Sequence, residues 1–343
     1  MKKKIVILAV MLALCATAVV GLSACEDPVK GDYKIGIVQE IEHGALDAAR
    51  EGFQTELTRL MTEAGKTVGF DYKNAQSDKS MASNIVDGFV ARNRNMVFSI
   101  GTAATQIAST KTKEKGIPTV FTAVTSPVES NIVASMDAPG ANVTGTTDLV
   151  DLEKQLDVMI ELLSDVKTNG IKFGMLYTSA EPNSKYQVEQ MKRAIEGRNA
   201  ADASRGYSYV EKSINEMADV QAALKALKNS ACDVVFIPTD NMIASAVAKV
   251  MTENSDEANG AKLPILCGDI DMTAGCGVAT IGVNFYDLGV QTAKMAFEIL
   301  VGGKDPATYP VEKQLTYELH IYEENAAKIG FSIPQSLKDK ASR

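Results

Sequence analysis

The stretch Met96-Val-Phe-Ser-Ile100-Gly101-Thr-Ala-Ala-Thr-Gln106 decides the fold class. Its first five residues are a short apolar run, the pattern of a buried strand, and the glycine turns the chain into a short helix. The same strand-then-helix unit stands on either side. Upstream, Tyr33-Lys-Ile-Gly-Ile-Val-Gln39 is a strand. Leu46, Ala49, Phe53, Leu57, Leu60 and Ala64 then recur at helical spacing over 45–64, and Gly65 stops the helix. Val68-Gly-Phe-Asp-Tyr72 is the next strand, and Met81, Ile85 and Phe89 mark the next helix. Downstream, the run from Ile117 to Val124 is a fourth strand.

A second series of the same kind follows. Leu152, Leu156, Met159 and Leu163 form a helix, Ile171 to Tyr177 a strand, and the loop Thr178 to Ser184 opens a helix with Val188, Met191 and Ile195 inward. Tyr207 to Val210 is a strand, and Val220, Leu224 and Leu227 share a helix face. Cys232 to Ile237 and Leu263 to Cys267 are strands, with a helix from Met242 to Met251 between them. Alternating strands and helices predict α/β architecture with doubly wound parallel sheets, and two series predict two lobes. The length of 343 residues agrees, since single cores stop growing near about 250–300. The tail then supplies a helix within 283–302, with Val290, Ala293, Phe297 and Leu300 on one face, extended chain over 314–322, and a helix over 323–329. Such a tail can feed back into the first lobe. Together with the lack of a Gly/Ser-rich linker, it predicts a hinge of several crossings.

Composition removes several functions. With 45% hydrophobic and 23% charged residues the chain is an ordinary globular protein. Its net charge of −8 makes nucleic acid a poor partner, because phosphate binding needs clustered Lys and Arg. Two histidines and no C-x-x-C give no metal pattern, no cofactor motif is present, and no Gly-x-Ser-x-Gly elbow or phosphate loop occurs.

The N-terminus carries an address. Met1-Lys-Lys-Lys4 is basic, Ile5 to Leu22 is apolar, and Leu22-Ser23-Ala24-Cys25 ends the run. This order predicts a cleaved signal peptide over 1–24 rather than a retained membrane span. A cysteine after Leu-Ser-Ala resembles the bacterial lipobox. The resemblance implies lipidation of Cys25, a tether over 25–32, and a soluble remainder outside the cytoplasm that meets the membrane through its lipid alone. Cys15 goes with the leader. Cys232, Cys267 and Cys276 are expected as buried free thiols; Cys267 and Cys276 are also near enough in sequence for a disulfide, which spacing alone does not establish.

Ligands of open parallel sheets sit beyond the carboxyl ends of the strands. Those positions hold Gln39, then Gly101-Thr102-Ala103, then Thr125-Ser126 in the first series. In the second they hold Ser179, Glu181, Asn183 and Ser184, then Thr239-Asp240-Asn241, then Asp269. Helix starts at Thr102-Ala103 and Asn183-Ser184 should offer backbone N–H groups to a carboxylate. Glu181, Asp240 and Asp269 suit an ammonium. The pair of needs is that of a free amino acid, although Thr102, Ser184 and Asp240 are equally suited to being plain N-caps.

Several segments resemble ABC-transporter substrate-binding lipoproteins of the tryptophan/tyrosine type. They are Ile35-Gly-Ile-Val-Gln39 with Glu42-His43-x-x-Leu46-Asp47-Ala-Ala-Arg50-Glu-Gly52-Phe53, Asn74-Ala-Gln76, Pro118 to Val128, Asn142-Val-Thr-Gly145, Pro238-Thr-Asp-Asn241 and Tyr286-x-Leu-Gly289-x-Gln291-Thr292, after the lipobox leader. The resemblance implies a type I periplasmic-binding fold of two Rossmann-like lobes joined by three crossings. Lobe one would span 33–146 with 283–314, lobe two 147–282 with 315–336, and 337–343 would be a tail. It implies a monomer, not an enzyme, that binds an aromatic or hydrophobic amino acid and hands it to an ABC permease. By position, Thr102, Ala103, Asn183 and Ser184 would hold the carboxylate, Asp240 with Glu181 the ammonium, and Gln39, Thr125 and Asp269 the remainder. With no tryptophan in the chain, stacking would fall to Phe121, Tyr177, Phe285 or Tyr286. Two alternatives stay open: a sugar or nucleoside ligand on the same fold, and a secreted hydrolase using the cleft carboxylates.

Overall fold

The computed structural model describes residues 27–314 and 316–341. The leader and the lipidation expected at Cys25 lie outside the described residues. The first series folds as β1 (Tyr33–Gln39), α1 (Gly44–Glu63), β2 (Val68–Asn74), α2 (Lys79–Ala91), β3 (Met96–Ile100), α3 (Thr102–Lys113), β4 (Thr119–Thr122) and β5 (Val143–Thr147). The second runs α4 (Leu152–Leu162), β6 (Lys172–Thr178), α5 (Pro182–Ala201), β7 (Ser208–Ile214), α6 (Val220–Asn229), β8 (Val234–Ile237), α7 (Asn241–Ala244), α8 (Val247–Ser255), β9 (Ile265–Cys267), α9 (Ile270–Cys276) and β10 (Ala279–Gly282). The tail adds α10 (Phe285–Leu300), β11 (Glu312–Lys313), β12 (Glu318–Ile321), α11 (Glu323–Ile329) and α12 (Gln335–Lys340).

Two six-stranded sheets result, ordered β11-β5-β4-β3-β1-β2 and β12-β10-β9-β8-β6-β7. Every pairing is parallel except the antiparallel edge between β10 and β12. The two orders repeat one topology, and the chain changes sheet after β5, after β10 and between β11 and β12. This is the expected pair of α/β lobes.

Each lobe has its own core. In the first, Phe53 of α1 stacks on Phe98 of β3 at 3.7 Å between ring centroids. Both rings are fully buried, which contributes roughly 1.5–3 kcal/mol apiece. Helices α1 and α10 approach so closely that a Cβ on Gly289 would lie 2.0 Å from the Ala49 carbonyl oxygen, and one on Gly52 2.1 Å from that of Tyr286. Only glycine fits that seam.

Several details depart from the sequence pattern. Strand β5 was not expected, because Val143-Thr-Gly-Thr-Thr147 carries little apolar signal; its threonines are buried through hydroxyl bonds, as between Thr146 and Thr292 at 2.8 Å. Helix α9 and strand β10 were likewise unread. The helix expected over Met242 to Met251 is two helices, interrupted at Ser245-Ala246. On α2 the buried residues are Ala82, Val86 and Phe89, while Met81 is exposed. On α10 the buried face runs through Leu288, Thr292, Met295 and Ile299, leaving Val290, Phe297 and Leu300 half-buried. Cys232, Cys267 and Cys276 are buried free thiols, with 3.6 Å between the sulfurs of Cys267 and Cys276.

Candidate ligand-binding cleft

The carboxyl ends of the two sheets face each other. His43, after β1, meets the Asn241 side-chain oxygen at 3.3 Å, and Gln187 of α5 donates to the Thr125 hydroxyl at 3.4 Å. The cleft therefore lies where strand order placed it.

On the second lobe's side, six of the expected residues form one knot. Pro182 starts α5, where its fixed φ suits the first helical turn. Glu181 just before it turns away from its own helix. Its carboxylate accepts from the backbone nitrogens of Asn241 at 2.9 Å and Met242 at 2.8 Å, and from the side-chain amides of Asn241 and Asn183, both at 3.2 Å. Asp240 accepts from the Thr178 backbone nitrogen at 2.6 Å, the Thr178 and Ser184 hydroxyls at 2.8 Å, and Ile243 N at 3.0 Å. Asn183 also donates to the Thr239 carbonyl at 2.7 Å. The first N–H groups of α7 are thus shared between two acids, and Asp240 acts as an N-cap. Ser179 stands apart, donating to Asn215 at 2.5 Å.

On the first lobe's side, α3 starts at Thr102, but its end is not open. Glu40, the residue after β1, accepts from the Ala103 nitrogen at 2.8 Å. The expectation that this helix start offers that N–H to a ligand carboxylate is corrected: an acid of the protein itself already occupies it. Thr102 itself is buried beside it. Gln39 donates to the Ile41 carbonyl at 2.8 Å and to Asp47 at 2.9 Å.

The acids that meet here repel one another. Burial pushes the Glu181 carboxyl well above its usual range, and the charges of Asp240 and Glu40 push it further. Burial also raises Glu40, against the N–H groups of Ala103 and Ala104, and Asp240, against its four donors. Burial lowers His43, against its contact with the Asn241 side chain and the charge of Asp47.

Several buried polar atoms lack hydrogen-bond partners: Gln39 Oε1, Ser126 Oγ, Asp148 Oδ1, Gln155 Oε1 and Asp269 Oδ2, and also Arg94 Nε, Ser130 Oγ and Asn142 Oδ1. The other oxygen of Asp269 caps α9, accepting from Met272 N at 2.7 Å. A buried polar atom without a partner costs about 1–3 kcal/mol, so each of these is a group that a ligand or a water can satisfy. Asp148 and Gln155 were missed from sequence. Asp148 directly follows β5, so reading that strand would have found it. Among the described residues no cluster of His, Cys, Asp and Glu is placed to hold a metal ion.

Beside the hinge, Thr125 and Ser126 open onto a recess of about 610 Å³, whose walls include Met136, Leu149, Tyr186 and Tyr317. The Lys154 ammonium lies 4.9 Å from the centre of the Tyr317 ring. The aromatic rings available to a ligand here are therefore Tyr186 and Tyr317. Of those expected, Phe121 and Phe285 are core, Tyr177 is half-buried with its hydroxyl toward Glu211, and Tyr286 is on the surface.

Comparison with known proteins places this geometry. A tyrosine-binding protein of Clostridioides difficile (strain R20291) is 33% identical over 311 residues, covering 89% of this chain and 84% of that one. The crystal structure of an ABC domain from Streptococcus pneumonia in complex with L-Trp is 30% identical, covers 90% of this chain and 99% of its own, and superposes with a TM-score of 0.77. The ligand-free, open structure of a Clostridium difficile substrate binding protein with adhesive properties is also 30% identical, with 90% and 98% coverage, but reaches only 0.64. The pattern of the family described as ABC transporter substrate binding protein matches residues 34–343, and the chain belongs to that family.

Proposed function

We propose that this protein is a lipid-anchored, extracytoplasmic binding protein that captures a free amino acid with an aromatic or hydrophobic side chain between its lobes and delivers it to an ABC permease. The observation that carries the reading is the set of orphaned polar atoms at the facing carboxyl ends of two sheets, with an apolar and aromatic recess beside it. The tyrosine-binding relative and the L-Trp complex support the ligand class. In this reading lobe one comprises 33–146 with 283–314 and lobe two 147–282 with 315–336. The chain acts as a monomer, tethered through Cys25, and releases its ligand chemically unchanged. Among the described residues no helix is long and apolar enough to cross a membrane, which fits a tether at the N-terminus.

The mechanism is closure. Contacts such as Gln187 to Thr125 and His43 to Asn241 exist only when the lobes are together, so a ligand touching both lobes shifts the population toward the closed form. The permease then reads the surfaces that closure aligns.

Thermal-shift screening of the purified chain against amino acids, sugars and nucleosides tests this. A ligand at about 100 times its dissociation constant adds roughly 2.7 kcal/mol of stability. A rise with aromatic or hydrophobic amino acids, and none with sugars or nucleosides, is expected. A rise with a sugar or nucleoside and none with any amino acid would sink the proposal.

A further inference from the structure

We propose that the ligand's ammonium group is received by Asp148 and Asp269, from the strand ends of opposite sheets, and not by Asp240 and Glu181. The inference rests on the amino-acid reading above and deepens it.

Asp240 and Glu181 are already satisfied. Each accepts from four protein donors, and those donors hold α7 to β6 and α5. Withdrawing either carboxylate toward a ligand would orphan the N–H groups of α7. Asp148 and Asp269 differ in kind. They are 3% and 1% exposed, and each keeps one oxygen without a hydrogen-bond partner, Oδ1 of Asp148 and Oδ2 of Asp269. Asp148 follows β5 in the first sheet and Asp269 follows β9 in the second. They are close enough for the charge of Asp148 to act on Asp269. Two buried like charges that follow strands of opposite sheets repel one another unless a cation comes between them.

The chemistry of the neighbouring residue fits an ammonium. Gln155 of α4 spends its amide N–H groups on the carbonyls of Gly268, the residue before Asp269, at 3.2 Å, and Ile281, at 3.1 Å, which leaves its own carbonyl oxygen as a buried acceptor with no partner. An ammonium carries three N–H donors and no acceptor. Asp148 Oδ1, Asp269 Oδ2 and Gln155 Oε1 supply three acceptors. Burial first, then the charges of Asp271 and Asp148, pushes the Asp269 carboxyl up to about 7. Burial pushes Asp148 up to about 6, against hydrogen bonds from the Thr125 hydroxyl and its own backbone N–H. Tyr322 and Cys267 also face this group from β12's end and β9. A cation placed between the acids draws both back down, so binding near pH 6 expels protons.

Isothermal titration of L-tyrosine and L-tryptophan into the wild-type chain, Asp148→Asn and Asp269→Asn, in two buffers of different ionisation enthalpy at pH 6, tests the assignment. Asparagine at 269 retains the cap on α9. We expect each variant to lose about tenfold or more in affinity, and the wild type's proton release to shrink in both. Either variant binding within about threefold of wild type overturns the assignment, as does a loss of affinity with unchanged proton release, which would be structural. Wild type that binds neither these nor any other amino acid overturns the amino-acid reading itself; wild type that binds while the variants bind equally overturns the ammonium site alone.

Discussion

Glu40 Oε2 lies 2.8 Å from the backbone nitrogen of Ala103, so the start of α3 is filled by the protein's own carboxylate. The contact depends on Gly101. Its φ of +96° is one that residues with a Cβ rarely adopt, and a Cβ there would lie 2.7 Å from that same oxygen. Gly101→Ala should destabilise the fold by about 2 kcal/mol or more, combining backbone strain with a displaced buried acid. Urea unfolding measures it; a midpoint equal to wild type would show that Glu40 is not held as described.

Asp240 ties the second lobe together. Asp240→Ala removes the cap of α7 and strands the donors on Thr178 and Ser184. The expected loss is about 2–4 kcal/mol in chemical denaturation, with Asp240→Asn losing less because it keeps part of the cap. A variant as stable as wild type but unable to bind would return Asp240 to the role of ligand residue.

The pH response of the ligand-free protein follows from the acids near the hinge. Unfolded, Asp269 titrates near 3.8; folded, it holds its proton to about 7. Its contribution to stability is whole below the unfolded value and is lost as pH rises through the folded one. The stability advantage of Asp269→Asn over wild type, followed by chemical denaturation, should therefore grow from pH 4 to pH 7.5, reaching on the order of 1–4 kcal/mol. A constant difference across that range would contradict a raised Asp269.

Gln187 bridges the lobes, donating to Thr125 at 3.4 Å while its oxygen accepts from Thr239 N at 3.1 Å. Gln187→Ala should weaken ligand binding by about fivefold through the lost bond to Thr125, and lower ligand-free stability by about 1–3 kcal/mol because the Thr239 N–H is left without its acceptor. Calorimetry and unfolding on the same preparation separate the two quantities.

Gly289 admits no side chain. Gly289→Ala drives a methyl group into the Ala49 carbonyl, and separating α1 from α10 should cost about 3 kcal/mol. A thermal midpoint within a degree of wild type would mean that the helices part cheaply.

The fold was legible wherever apolar residues carried the pattern. Met96 to Ile100 announced β3, and the spacing of Leu46, Phe53 and Leu57 announced α1. Strand β5 escaped because threonines bonded through their hydroxyls do the work of apolar residues there, and α9 and β10 escaped because each is short. In the cleft, residue type and strand end found Asp240, Glu181 and Asn183 but not what they bond to. Sequence shows that a helix start wants an acid; it does not show that Glu40, far from Ala103 in the chain, arrives to fill it. The unread β5 concealed Asp148 for the same reason it concealed itself.

The glycine seam between α1 and α10 also sets an order of assembly. A chain that emerges N-terminus first completes α1 at Glu63, but the helix that covers Ala49 and Gly52 begins only at Phe285. Strand β12 completes the second sheet later still. Until then a bare strip of small residues waits on the nascent first lobe, with long-range contacts to make and none yet available. Neither half is a module that can be cut free at a lobe boundary. A gene truncated before residue 285 should yield an aggregation-prone product, because the strip on α1 that α10 covers stays bare.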